Sequence, residues 1–337
     1  MIQIPKRKKG RQSESALESY QEAVAKFCKE LVEINRTLDI KVSSRGWCYI
    51  LESHGLTKGE FGYAQRLIND CRKSGLLPVD FTAADETRAT EGLPEYVDIT
   101  EPDEEAADIV DQVWNLVYQY NPVDFWARQE VYVEMLVEKI DLKSIFAKVC
   151  RKFHVPIGNA KGWADINSRA AMMRRFAAHE AKGRECVLLM CNDHDPGGLS
   201  ISNTIKSNLY DLASAVGWNP DNLIVDRFGL NADFIERHGL SWVDNLETSS
   251  GKHLDDPRHK DHFKPYVQTY ISRYGARKCE ANSLVVNIEA GREMCRQAIT
   301  KYVTQEAVNE HQGLIAEAQE AVREALPAAL KAAADEL

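Results

Sequence analysis

No apolar run in the chain approaches the roughly 18–20 residues that span a bilayer; Val187-Leu188-Leu189-Met190-Cys191 is typical of the longest. The start, Met1-Ile2-Gln3-Ile4-Pro5-Lys6, lacks a signal-peptide apolar stretch, so a cytoplasmic protein is expected, nucleoid-associated if the source is prokaryotic. Eight cysteines are spread along the chain without one Cys-x-x-Cys spacing. That excludes a zinc ribbon and fits reduced thiols. What is present is an ordinary globular balance: 337 residues, 44% apolar and 28% charged, enough for two domains or one large one with attachments. The net charge of −9 argues, taken whole, against a nucleic-acid partner.

Charge by segment alters that inference. Residues 1–75 hold 14 Lys/Arg against 9 Asp/Glu, residues 76–125 hold 1 against 13, residues 126–300 hold 24 against 22, and residues 301–337 hold 3 against 7. The acidity is concentrated in one middle stretch and the tail, and local charge sets attraction to phosphate. The opening Lys6-Arg7-Lys8-Lys9-Gly10-Arg11 reads as a basic arm over 1–12, either solvated or phosphate-binding.

Apolar residues at three- and four-residue steps predict a helix over Ser13–Leu38. Short helices follow at Ser44–His54 and Lys58–Ser74, closed by Gly55 and Gly75. In the second, Arg66, Asn69, Arg72 and Lys73 lie outside the apolar stripe. This pairing suggests a winged-helix-like DNA-binding domain over 13–125, with an acidic linker at about 80–110. From residue 126 strands and helices alternate: strands at Val131–Val137, Val155–Gly158, Cys186–Cys191 and Leu223–Asp226, helices at 142–153, Asp165–Ala181 and Ser200–Ala215. That alternation predicts an α/β domain with a parallel sheet to about residue 300. The Ala/Glu-rich Glu306–Leu337 reads as a packing helix interrupted at Pro327.

Two strand ends carry carboxylates, in Val137-Glu138-Lys139 and in Asn192-Asp193-His194-Asp195-Pro196-Gly197-Gly198. Acids gathered at strand ends need positive charge, and a hard cation with oxygen ligands supplies it. A calcium loop fails on the residue at Gly197. A phosphatase with the first Asp as nucleophile, or simple helix capping by the two aspartates, stays open.

The motif Glu138-Lys139 followed by Asp193-x-Asp195-Pro196-x-Gly198 resembles a TOPRIM domain, as in the topoisomerase VI A subunit, its meiotic double-strand-break relatives, and standalone bacterial or phage-type members. Upstream, Arg45-Gly46-Trp47-Cys48-Tyr49 resembles the family's Arg-x-x-x-Tyr element, and Glu280-Ala281-Asn282-Ser283-Leu284 loosely resembles its late Glu-Ala-Leu element. The resemblance implies a Rossmann-like parallel sheet and a homodimer acting on DNA. Glu138, Asp193, Asp195 and Glu280 would be ligands of Mg²⁺, for which Mn²⁺ can substitute, with Glu138 also serving as general acid/base. It further implies Tyr49 as the nucleophile and an ATPase partner subunit for strand passage; Arg45, four residues before Tyr49 on the same helix face, would assist it, and the basic arm (Lys6, Arg7, Lys8, Lys9) and the second helix (Arg66, Arg72, Lys73) are the expected DNA contacts. An ATPase domain has no room in this chain, so the expectation is a Mg²⁺-dependent DNA-cleaving protein, by Tyr49 or by water. A non-catalytic DNA-binding subunit with a structural TOPRIM domain is the alternative. Two further clusters, His253/His259/His262 and Lys161/Arg169/Arg174/Arg175, read as a solvated loop and as a basic helix face.

Overall fold

The computed structural model describes residues 2–7, 13–83, 101–160, 165–248 and 253–336. Contacts divide the chain into two compact units, one of Met1–Ala84 with Val133–Ile299, the other of Asp85–Tyr132 with Thr300–Leu337.

The first unit opens with helices α1 (Glu14–Thr37), α2 (Ser44–Glu52) and α3 (Phe61–Lys73). Ser13 caps α1, its hydroxyl accepting from the Ala16 N–H, and Ser43 caps α2 by accepting from Gly46, as short oxygen-bearing side chains do at helix starts. Gly55 and Gly75 follow α2 and α3 at φ 105° and 77°, a left-handed conformation that glycine adopts without a Cβ clash. No strand occurs over the described residues 13–83, so this part is helical and carries no wing there. The expected free arm is, over residues 2–7, a docked segment: Ile2 and Pro5 are buried, Tyr63 donates to the Pro5 carbonyl, and Lys6 pairs with Glu60. Lys8 and Lys9, most of the 80–110 acidic stretch and Lys161 lie outside the described residues.

The rest of this unit is α/β. Strands β1 (Val131–Val137), β2 (Ile157–Asn159), β3 (Glu185–Cys191) and β4 (Ile224–Gly229) form one four-stranded sheet in the order β2-β1-β3-β4. β1 pairs β2 in parallel with Met135 opposite Ile157, and β3 pairs β4 in parallel with Val187 opposite Ile224. β1 and β3 bury six of their seven positions, the near-continuous apolar run of a strand covered on both faces. Helix α5 (Ile140–Lys152) packs against β2, α6 (Ile166–Glu180) against β3, and α8 (Ile201–Tyr210) against β4. The helix expected over Ser200–Ala215 is two pieces, α8 and α9 (Ala213–Val216), preceded by a short α7 (Pro196–Leu199). Asp195 starts α7 by capping Gly198, and Gly217 ends α9 at φ 75°.

The strand order places β1's carboxyl end between a successor on one side and β3 on the other. That is a topological switch point, where open α/β sheets leave a crevice for ligands. After β4 come α10 (Ala232–Arg237), α11 (Pro265–Tyr274), a 3-10 turn at Ala281–Val286 and α12 (Ile288–Thr300).

The second unit joins α4 (Pro102–Gln119) and α13 (Gln305–Glu336). Phe125 meets Trp126 and His311 edge-on, and Gln319 of α13 donates to the carbonyls of Tyr118 and Tyr120. The expected interruption at Pro327 does not occur, because α13 runs through it. A proline removes one hydrogen bond and crowds one carbonyl, a cost that the remaining bonds of a 32-residue helix absorb. No helix among the described residues is long and apolar enough to cross a membrane.

Candidate active site

The acids predicted from the strand ends meet at the switch point. Glu138 follows β1 directly, and its N–H donates to the Cys191 carbonyl at 3.3 Å, which sets the ends of β1 and β3 side by side. Each of three carboxylates has one oxygen fixed by a backbone N–H. Glu138 Oε2 accepts from Asp193 at 3.2 Å, Asp193 Oδ1 from Ala281 at 2.8 Å, and Asp195 Oδ1 from Gly198 at 2.6 Å. The opposite oxygens of the first two converge on one cation: Lys139 Nζ lies 2.6 Å from Glu138 Oε1 and 2.9 Å from Asp193 Oδ2. Gly198 is required here, since a Cβ would overlap the Asp193 carbonyl oxygen.

Burial dominates the electrostatics. Asp193 is pushed up to about 7 by burial, against the pull of Lys139 and with Glu138 adding to the rise. Asp195 is also raised by burial, opposed by the Gly198 N–H. Burial works to lower Lys139, but Asp193 and Glu138 override it and hold the ammonium above its usual range.

Glu280 closes the site from the start of the 3-10 turn, next to the Ala281 amide that holds Asp193. Its carboxylate accepts from Tyr49 Oη at 2.8 Å and from Arg45 at 3.1 and 3.2 Å. Burial tends to raise Glu280, and Arg45 and Tyr49 bring it below the ordinary carboxylate range. Tyr49 is fully buried, its ring edge-on to Phe61 at 5.1 Å, with Lys58 Nζ over its face at 4.3 Å. Burial, reinforced by Glu280, pushes its hydroxyl above the usual phenol range. In this arrangement Tyr49 is a hydrogen-bond donor to a carboxylate, not a phenolate open to a phosphate.

The helical part is held to the sheet by a contact that local sequence does not reveal. Asp141, in the first turn of α5, accepts from the Ser43 N–H at 2.7 Å and the Ser43 hydroxyl at 2.5 Å, 98 residues away. This bond ties the start of α2, hence Arg45 and Tyr49, to the helix that begins beside Glu138. The loop bearing the aspartates is held from behind as well. Arg227 donates to the Gly198 carbonyl at 2.8 Å, and buried His194 has its Nδ1 2.9 Å from Tyr270 Oη.

The structure therefore brings together Arg45, Tyr49, Glu138, Asp193, Asp195 and Glu280. The predicted DNA-binding residues lie elsewhere. Arg7 and Arg66 are exposed, Lys73 is exposed beside Asp70 at 3.8 Å, and Arg72 folds onto the Val79 carbonyl at 2.8 Å. Of the basic helix residues, Arg175 makes a two-pronged pair with buried Glu134 at 2.7 Å, and Arg169 donates to the Asn208 carbonyl at 3.2 Å. His262 Nδ1 lies 2.8 Å from the Leu254 carbonyl, and His253 lies by Asp255 at 4.0 Å. All eight cysteines are buried and unpaired. Sequence reasoning missed the cations of the site: Lys139 adjoins Glu138, Lys278 lies two residues before Glu280 at 3.9 Å, and Lys58 pairs with Glu52 at 3.2 Å. The adjacency of Lys139 and Lys278 to the motif acids was the available signal.

The donor set, three carboxylates with anchored geometry, fits a hard oxygen-seeking cation such as Mg²⁺ in kind. Among the described residues no three His, Cys, Asp or Glu side chains stand at metal-binding spacing. The ammonium of Lys139 stands between two of the three acids instead. No family model, curated protein or solved structure matches the chain.

Proposed function

We propose that the chain is a Mg²⁺-dependent enzyme that cleaves the phosphodiester backbone of DNA, with water rather than Tyr49 as the attacking group. The observation that carries this reading is the convergence of Glu138, Asp193 and Asp195 at the switch point, each held by a backbone N–H. Mg²⁺ held by these three acids would supply Lewis-acid charge at the scissile phosphate. Arg45 and Lys278, which flank Glu280, offer donors to phosphate oxygens at the same opening. Water is favoured over Tyr49 because the buried hydroxyl is bonded to Glu280, and a phenolate there would face that carboxylate. The exposed Arg7, Arg66 and Lys73 of the helical part are its candidate DNA contacts. A TOPRIM assignment, a homodimer and an ATPase partner belong to the same proposal and rest on the resemblance.

The second reading, a non-catalytic DNA-binding subunit, is favoured by one observation, the lysine ammonium within the acid cluster. Supercoiled plasmid with Mg²⁺ separates the two. Nicked or linear product that disappears with EDTA and in Asp193→Ala, and persists in Tyr49→Phe, supports the hydrolase. Retained DNA binding with no product in Mg²⁺ or Mn²⁺ leaves the subunit reading.

A further inference from the structure

Lys139 is named by the sequence only as the residue after Glu138, yet it occupies the centre of the acid cluster. Its ammonium takes up Glu138 Oε1 and Asp193 Oδ2, the two oxygens left over once the backbone has claimed the others. Glu138 and Asp193 thus have their backbone-fixed oxygens turned to the protein and their remaining oxygens turned to a single positive charge.

From this geometry we infer that Lys139 is a built-in counter-ion of the site, which a divalent cation displaces when it binds. The inference rests on the reading of the acids as a metal site and adds how that site is kept when metal-free. Two arguments carry it. First, two carboxylates side by side, Asp193 buried and Glu138 half-buried, are costly without a cation, so the cluster needs positive charge when no metal is bound. Second, Mg²⁺ approaches carboxylate oxygens at about 2.0–2.1 Å, so an ammonium bonded to the same two oxygens would sit at repulsive range from it. One cation excludes the other. The lysine is suited to leaving, because its four-carbon stem is flexible, its side chain is 28% exposed, and its head carries three donors able to turn to water or phosphate.

The exchange has a signature independent of catalysis. In the wild-type chain, acetylation of Lys139 followed by mass spectrometry should be slow in EDTA and at least about tenfold faster in saturating Mg²⁺, as the ammonium leaves its two carboxylates. Lys139→Met should bind Mn²⁺, by calorimetric titration, about tenfold or more tightly than wild type, because nothing has to be displaced. Its metal-free melting temperature should fall, and Mn²⁺ should raise that temperature by more than in wild type. Equal labelling with and without Mg²⁺, in a chain whose Mn²⁺ binding is abolished by Asp193→Ala, overturns the counter-ion role and leaves the metal site standing. Mn²⁺ binding unaffected by Asp193→Ala, or no Mn²⁺ binding at all, overturns both. The labelling comparison uses the natural chain, so the test survives if Lys139→Met fails to fold.

Discussion

Removing the Tyr49 hydroxyl distinguishes a structural tyrosine from a nucleophile. In Tyr49→Phe the ring stays against Phe61 at 5.1 Å and beneath Lys58 at 4.3 Å, so no cavity opens and the packing contribution is kept. What is lost is one hydrogen bond of 2.8 Å to an ionised carboxylate. Such bonds contribute about 1.5–3 kcal/mol. The loss should fall at the lower end, because Glu280 keeps Arg45 at 3.1 and 3.2 Å and Lys278 at 3.9 Å. Phe also spares the cost of burying a polar hydroxyl. A destabilisation of about 1.5–2 kcal/mol is expected, or about 3–8 °C in melting temperature for a unit of this size. The assay is calorimetric melting of wild type, Tyr49→Phe, Glu280→Gln and the double variant, with plasmid cleavage and a trap for protein–DNA adducts run on the same preparations. The two substitutions should couple by about 1 kcal/mol or more, since Tyr49→Phe removes the bond and Glu280→Gln removes the charge that strengthens it. Cleavage should persist in Tyr49→Phe with no adduct in either protein. A covalent adduct in wild type that vanishes in Tyr49→Phe would refute the reasoning, and a melting temperature unchanged within error would show that the bond to Glu280 is not made.

Further outcomes follow from the same network. Asp141→Ala removes both acceptors of Ser43, leaving a half-buried N–H and hydroxyl without their partner, and should cost about 1–3 kcal/mol in urea unfolding; a cost below about 0.5 kcal/mol would mean Ser43 finds water instead. Gly198→Ala forces the Asp195 turn away from Asp193, so Mn²⁺ affinity should fall sharply while helix content by circular dichroism is nearly unchanged. pH acts through two groups of opposite sign. His194 is depressed by burial to about 4, so the unfolded chain takes its proton first, and stability is lost as pH falls from the free value of about 6.5 towards 4. Asp193, raised to about 7, contributes stability below its free value of about 4 that is lost as pH rises towards 7. The two windows overlap with opposite sign, so they oppose each other in wild type. Asp193→Asn should uncover the histidine slope, with urea midpoints that rise from pH 4 to 6.5; a flat profile in that variant would mean His194 is not buried neutral.

The elements with a strong local pattern were legible in the sequence. The apolar run of Val131–Val137 and that of Cys186–Cys191 became the two central strands, since a strand covered on both faces needs no polar alternation. The helix of Ser13–Leu38 appeared within one residue at each end, because Ser13 caps it and its apolar steps are regular. The helix expected over Ser200–Ala215 breaks between Tyr210 and Ala213, a split that apolar spacing does not register, whereas capping by Asp195 is among the readings that the sequence leaves open. The meeting of Glu138, Asp193 and Asp195 could be expected, as parallel strands deliver their carboxyl ends to one edge. The arrival of Glu280 and Tyr49 at the same place is expected from the resemblance alone and not from local pattern, because it depends on Asp141 gripping Ser43 and on Ala281 donating to Asp193, contacts 98 and 88 residues apart.

The charges at this edge depend on one another. Glu138, Asp193 and Glu280 are held by Lys139, Arg45 and Lys278, and Asp193 is the most enclosed of the three acids. Taking away Lys139 leaves the buried Asp193 charge uncompensated, a loss of about 3–5 kcal/mol where partners are fully enclosed. Arg45 and Lys278 share Glu280, so either can go with the other still in place. Among the described residues Lys139 alone forms ion pairs with Glu138 and Asp193. The acid cluster is thus most sensitive at the one cation that a divalent ion can replace. Lys139→Met should therefore be far more damaging in EDTA than in Mg²⁺, whereas Lys278→Met should cost the same in both.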